Sequence, residues 1–389
     1  MKEIELGISL YPEQETAEEI EKYIEMAAKY GFTRIFTSIF SIPGEKEEVL
    51  SYLKRMCDIA HENGMRVIGD CNPSVFQKLG GSENDLSTYK EIGIDGLRMD
   101  APFGDERDIT LMNNPYGIQI VNSTAMMPGS LDMLIEKCGV EKVAVCHNFY
   151  PQRYTGISFE DFERINKPYS EKGVRVEAFI SSNVKGAHGP WPVWDGLVTV
   201  EEMRDLPIDA QTRIYMQLGT VDIITISNAF ASEEELKAVK ETVDYYKEDF
   251  DHELMLGGVF KVQLSDKRHI LDIIEDEGVS EIEKKLVYDC KVHMDLGDGF
   301  NYNIRSRMTR FGNKDFDIPY RDPGVPYFKK GDVLIVNNNC RYYMGEVQIV
   351  LKDMKNDGQR NRIGHVDERE ILLVDMIGPR ELIRFKKED

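Results

Sequence analysis

Through its first 230 residues the chain alternates between two hydrophobic patterns. Short apolar, β-branched runs recur at 4–10, 34–39, 66–71, 96–100, 118–122, 143–148, 174–180 and 222–227. Between most of them lie stretches with helical spacing of apolar positions, at 16–30, 45–63, 129–138, 159–172 and 200–218. Several of these stretches end on a glycine just ahead of the next strand: Gly31, Gly64, Gly139, Gly173 and Gly219. Glycine after the last helical turn is a C-terminal stop, because it adopts the left-handed conformation without steric cost. Eight strand–helix units in about 250 residues are the count and length of a (β/α)8 TIM barrel. An open doubly wound sheet is the alternative, and it fits less well, since no GxGxxG follows the first strand.

The pattern changes near residue 250. Strand-like runs follow at 254–263, 284–295, 300–305, 332–336, 345–351 and 371–376. Turn signals punctuate them at Gly257-Gly258, Gly297-Asp298-Gly299, Asp322-Pro323-Gly324 and Asn356-Asp357-Gly358. This predicts an α/β domain over 1–250 and a small antiparallel β-barrel or sandwich over 251–389.

Composition narrows the functional classes. The 389 residues hold 48 Lys+Arg against 69 Asp+Glu, a formal net charge of −21. That balance disfavours nonspecific nucleic-acid binding and a polybasic membrane surface. It leaves room for a small anionic substrate in a locally basic pocket. The N-terminus has no signal-peptide pattern and no apolar run is long enough to span a bilayer, so a cytoplasmic location is expected. The six cysteines are scattered without a CxxC, which predicts free thiols.

In a (β/α)8 barrel, chemistry sits at the C-terminal ends of the strands. The polar residues there are Ser9, Tyr11, Ser38, Asp70, Asn72, Asp100, Asn122, His147, Asn148, Tyr150, Ser181, Ser227 and Asn228. Asp70 and Asp100 end the third and fourth runs. Neighbouring strands lie about 4.8 Å apart, so two carboxylates at equal height can share a proton, a substrate group or a divalent ion. Helix N-capping is the competing structural role. Arg98 shares a face with Asp100 by the period of two. His147 is the only histidine at a strand end, and a hydrogen-bonded structural role outweighs a catalytic one. No HxH or HExxH marks a transition-metal site, and no metal or cofactor is expected. No lysine ends any strand, which argues against Schiff-base and pyridoxal phosphate chemistry. The seventh loop holds Lys185, His188, Trp191, Trp194 and Asp195. Indole faces suit a sugar ring, and phosphate often binds after strands seven and eight. Glu13 is a further carboxylate candidate, with a solvated surface role favoured.

The segments LGISLYPE (6–13), RIFTS (34–38), GLRMD (96–100), NNPYG (113–117) and HNFYPQRYTG (147–156) form an ordered set. GPW (189–191), DGLVTVEEMRDLPI (195–208), ASEEEL (231–236), RSRMTR (305–310) and RYYMGEVQIVLKDM (341–354) complete it. The chain thereby resembles the bacterial 6-phospho-N-acetylmuramidases over nearly its whole length. Gly69, Cys71-Asn72 and Ser227 depart from that family's pattern at the barrel mouth. The resemblance implies a TIM barrel followed by a cyclophilin-like β-barrel. It also implies cleavage of the β-1,4 bond of N-acetylmuramic acid 6-phosphate–N-acetylglucosamine in cytoplasmic cell-wall recycling.

Glycoside hydrolysis needs an acid and a second carboxylate. Strand-end position nominates Asp70 and Asp100, with Asp195 or Glu13 as a remote partner. Close spacing favours retention, through a protein nucleophile or the substrate's own acetamido group. Expected substrate contacts are Tyr11, Arg98, Asn122, His147, Asn148, Tyr150, Arg153, Trp191, Asn228, Arg305 and Arg341, with Arg307 as a further cation. The partner is a phosphorylated amino-sugar disaccharide, with no nucleic acid or membrane, and a homo-oligomer is compatible. The rivals are a non-catalytic sugar-phosphate sensor and a metal-dependent sugar-phosphate isomerase or epimerase.

Overall fold

A computed structural model describes residues 3–11, 14–39, 42, 44–125, 129–193, 195–256, 260–298, 301–310 and 316–387. Two compact units divide the chain, Lys2–Tyr245 and Tyr246–Asp389. In the first, β1 (Glu5–Leu10), β2 (Arg34–Ser38), β3 (Arg66–Cys71), β4 (Gly96–Met99), β5 (Gln119–Ser123), β6 (Ala144–Cys146), β7 (Arg175–Ile180) and β8 (Ile223–Ile226) form a closed barrel. Every neighbouring pair is parallel, and β8 returns to β1. The strands are buried on both faces, as a barrel wrapped in helices requires.

The helices start and stop where local chemistry dictates. Thr16 caps Ala17–Lys29 through a reciprocal capping box with Glu19, and Ser158 caps Phe159–Glu171. Gly219 ends Ile208–Leu218 at φ 65°, a conformation that other residues adopt at a cost. The predicted 200–218 helix is two pieces, a short 3-10 turn at Glu201–Met203 and the α-helix from Ile208, because Pro207 interrupts it.

The barrel interior is unusually polar at mid-height. Arg34 on β2 and Glu177 on β7 form a two-pronged ion pair, Nη2–Oε2 2.7 Å and Nε–Oε1 3.2 Å. Thr225 on β8 donates to Glu177 at 2.6 Å. Gly7 on β1 makes room, since a Cβ there would come within 2.6 Å of the Thr225 hydroxyl. Phe36, Ile68, Val121, Ala144, Cys146 and Phe179 pack as an apolar cluster that also takes in Phe149. Gly69 is matched by Ile39, whose Cδ1 fills the place of a Cβ.

The second unit opens with a ribbon of β9 (Glu253–Leu256) and β10 (Phe260–Gln263). Its main sheet uses β11 (Arg268–Glu275), β12 (Asn303–Ser306), β14 (Asp332–Val336), β15 (Val347–Val350), β17 (Arg360–Val366) and β18 (Leu382–Lys387). Short β13 (Tyr327–Phe328) pairs with β16 (Met354–Lys355). The sheet order is β12-β15-β14-β17-β11-β18. It is mixed, with β11 and β18 parallel, where a purely antiparallel arrangement was expected. One predicted strand, 371–376, and the first five residues of another, 284–295, are helical. Ser280 and Glu283 form a capping box that starts Glu281–Tyr288, and Ile371–Asp375 is a short helix. The apolar stretches there are only a few residues long, and such a short run reads equally as either element. All six cysteines are free. No helix among the described residues is long and apolar enough to cross a membrane.

Candidate active site

A cavity of about 180 Å³ opens at the C-terminal ends of the barrel strands. Asp70, Arg98, Asp100, His147, Asn148 and Trp191 line it together with Phe36, Phe149 and Phe179. Parallel register makes Asp70 on β3 and Arg98 on β4 direct neighbours. Arg98 Nη1 donates to Asp70 Oδ1 at 2.9 Å and to Asp100 Oδ1 at 2.6 Å. Its Nη2 donates to Asn148 Oδ1. One guanidinium therefore fixes both carboxylates and the amide of the loop after β6.

Burial separates the two acids. Asp70 is 4% exposed, and desolvation pushes its carboxyl up to about 6 against the opposing pull of Arg98. Only Oδ1 has a hydrogen-bond partner among the described residues, which leaves Oδ2 to carry a proton. The Asp100 side chain is 42% exposed and faces the cavity beside it. Arg98 occupies the position between the carboxylates that a bridging metal ion would need. His147 is buried, and desolvation holds its imidazole down at about 4. Its Nε2 meets Asn166 Oδ1 at 2.7 Å and its Nδ1 meets Thr124 Oγ1 at 3.3 Å. It is a neutral wall of the cavity with both ring nitrogens engaged.

Three rings form an aromatic surface beside the acids. Phe36, Phe149 and Phe179 meet edge to face with centroids 5.1–6.1 Å apart. Trp191, 41% exposed, adds an indole. The three phenylalanines were not among the expected site residues. The period of two would have shown Phe36 and Phe179 facing inward with Asp70 and Arg98.

The other expected residues lie elsewhere. Tyr11 is buried and donates to the Ser227 carbonyl at 2.6 Å. Asn122 is on the outward parity of β5, against Met112. Asn228 Oδ1 is engaged by Ser181 and Ser182. Tyr150 lies near Arg98, whose charge opposes the rise that burial imposes on its phenol. Asp195 pairs with Arg153 at 3.2 Å, and Arg153 is held more closely by Asp205 at 2.7 Å. His188 pairs with Glu15. Lys185 is exposed and has no ion-pair partner among the described residues. Glu13 and Trp194 lie outside the described residues. In the second unit Arg305 pairs with Glu346, Arg307 with Asp298, and Arg341 is exposed.

Arg204 was not anticipated. Its guanidinium, 2% exposed, donates to the carbonyls of Tyr150 and Asp195 at 2.9 and 3.0 Å and to Glu201 Oε2 at 2.6 Å. It ties the loop after β6 to the loop after β7.

A family model described as 6-phospho-N-acetylmuramidase, N-terminal, matches residues 6–241. A second, described as 6-phospho-N-acetylmuramidase, C-terminal, matches residues 269–386. No curated protein matches the chain. An uncharacterized B. cereus protein of known crystal structure is 34% identical, covers 99% of both chains and superposes with a TM-score of 0.81. A conserved Enterococcus faecalis protein of unknown function is 22% identical over 99% of this chain and 96% of its own, with a TM-score of 0.70, and shows the same fold. Matched by both models along most of its length, the chain belongs to the 6-phospho-N-acetylmuramidase family.

Proposed function

We propose that the protein hydrolyses the β-1,4 bond of N-acetylmuramic acid 6-phosphate–N-acetylglucosamine in cytoplasmic peptidoglycan recycling. The observation that carries this reading is the Asp70–Arg98–Asp100 cluster, one carboxyl raised to about 6 and its neighbour half exposed, at the barrel mouth of a family member. Family membership supports the substrate class, and the cyclophilin-like character implied for the C-terminal sheet belongs to the same reading.

Asp70 acts as the acid. Its proton on Oδ2 goes to the glycosidic oxygen as that bond breaks, and N-acetylglucosamine leaves as an alcohol. Asp100 faces the anomeric carbon. It attacks that carbon, or it orients the 2-acetamido oxygen that does; either route inverts once and water inverts again, so configuration is retained. Both carboxyl oxygens lie within 2.9 Å of one Arg98 nitrogen. That is too close for the about 6.5–9.5 Å spacing of an inverting pair. The aromatic surface takes the apolar face of the sugar. Asn148 and Trp191 position it, and Lys185, exposed in the loop that carries Trp191, is the cation assigned to the 6-phosphate.

The test is incubation with the phosphorylated disaccharide while released N-acetylglucosamine is followed, with the unphosphorylated disaccharide as control. Release restricted to the phosphorylated substrate is expected. A bound but uncleaved disaccharide would instead make the protein a sensor.

A further inference from the structure

The second unit carries a cavity of its own, about 390 Å³. That is within the range of small-molecule sites, about 300–1,000 Å³. Its base is a polar ladder across β12, β15 and β17. Glu346 is fully buried and accepts from Arg305 at 2.6 and 3.0 Å, from Arg310 at 3.1 Å and from Gln348 at 2.8 Å. Gln348, 4% exposed, accepts from Asn303 at 3.0 Å and from Arg360 at 2.8 Å. Each amide is thereby locked in one orientation, as a preorganised binding surface requires.

Two of the side chains lining this surface are cationic and each is paired on one side, Arg305 with Glu346 at 2.6 Å and Arg360 with Asp357 at 3.0 Å. Arg305 and Arg360 line the cavity, and Glu346 has its oxygens committed to the ladder. Arg305 Nη1 and Arg360 Nη2 have no partner among the described residues, so two guanidinium edges remain for an oxyanion. Aromatic rings complete the wall. Tyr343 lies 5.4 Å beneath the Arg305 guanidinium and is 40% exposed, and Tyr302 is 55% exposed. Tyrosine faces, fixed amides and free guanidinium edges together suit a pyranose that carries a carboxylate or phosphate.

We propose that this cavity is a second ligand site, for an anionic monosaccharide, that binds without catalysing. It lies wholly inside the second unit and stands independently of the reading of the barrel mouth. Arg305, expected from the sequence to touch the hydrolysed substrate, serves this site.

The test uses the full chain and the thiol of Cys340, which lines the cavity. Its alkylation by iodoacetamide is followed by peptide mass spectrometry with glucose 6-phosphate, glucuronate, glucose or inorganic phosphate present. Either anionic sugar is expected to slow alkylation of Cys340 while Cys290 reacts unchanged. Glucose and phosphate should need concentrations about tenfold higher for equal protection. In Arg360→Met the half-protecting concentration of the anionic sugars should rise about tenfold. Should that variant not fold, Tyr343→Ala takes its place with the same expectation. No protection by either anionic sugar, protection unchanged in the folded variant, or phosphate protecting as well as glucose 6-phosphate would each overturn the proposal. Hydrolysis does not enter these readouts, so failure here is separable from failure of the muramidase reading.

Discussion

Asp70 and Arg98 are register partners on adjacent strands, and Arg98 Nη1 donates to Asp70 Oδ1 at 2.9 Å inside the barrel mouth. The ion pair does not hold Asp70 in the ordinary carboxylate range, because burial outweighs it and lifts the group to about 6. Two pH effects follow. As the acid, Asp70 must be protonated, so kcat/KM should fall about tenfold per unit above pH 6. Stability runs the same way. The folded pKa exceeds the unfolded 3.8, so the stabilising contribution is complete below 3.8 and lost as pH rises through 6. Chemical denaturation of wild type and Asp70→Asn across pH 4–7 should show the difference shifting in the variant's favour from pH 4 and levelling above about pH 6. A pH-independent difference would remove the assignment of Asp70 as the raised group.

Removing either carboxylate tests the pair itself. Asp70→Asn should lower turnover about 10²–10⁴-fold, the usual worth of a general acid. Asp100→Asn should lower it at least as far if Asp100 bonds to the anomeric carbon. Both are read from N-acetylglucosamine release, with circular dichroism to confirm folding. Near-normal turnover in both folded variants would mean that the pair is not catalytic.

Barrel stability rests on a different pair. Arg34 and Glu177 are 0% and 1% exposed. Arg34→Met strands a buried carboxylate and should cost roughly 3–5 kcal/mol. The double variant Arg34→Met with Glu177→Met leaves no orphaned charge and should recover much of that loss. Urea midpoints of the two variants decide it; a double variant weaker than the single one contradicts the argument.

The barrel was legible because eight apolar runs and their glycine stops are local signals. Asp70, Asp100 and Arg98 were legible because strand ends and the period of two place them. The Arg34–Glu177 pair was not, since its members are 143 positions apart and closure of the barrel alone joins them. Tyr11, Asn122 and Asn228 sit at strand ends as expected, yet their side chains serve the barrel wall: parity turns Asn122 and Asn228 outward, while Tyr11 shares the inward parity of Gly7 and is drawn aside by its bond to the Ser227 carbonyl. The second unit was less legible because its pairings are long-range. The parallel contact of β11 with β18 brings together residues 268 and 382, and neither strand was anticipated.

Lys185 is the cation proposed for the 6-phosphate. A charge-assisted contact at an exposed position supports an effect of about tenfold on KM in Lys185→Ala, with kcat little changed. KM for the phosphorylated disaccharide is the measurement. An unchanged KM moves the phosphate to another cation.

Arg204 supplies the last prediction. It touches neither the cavity lining nor the acids, yet its guanidinium joins the carbonyls of Tyr150, Gln152, Asp195 and Gly196 with Glu201. These atoms come from the two loops that contribute Asn148 and Trp191 to the cavity. Lysine keeps the charge but has one ammonium in place of a planar fork, and it cannot reach all of these acceptors at once. Arg204→Lys should therefore loosen both loops with Asp70, Arg98 and Asp100 left in register on their strands. The expected signature is a KM raised several-fold, an alkaline limb still at about 6, and faster proteolysis within 147–156 or 181–200. A displaced limb with intact loops would instead place Arg204 in the electrostatics of the acid pair.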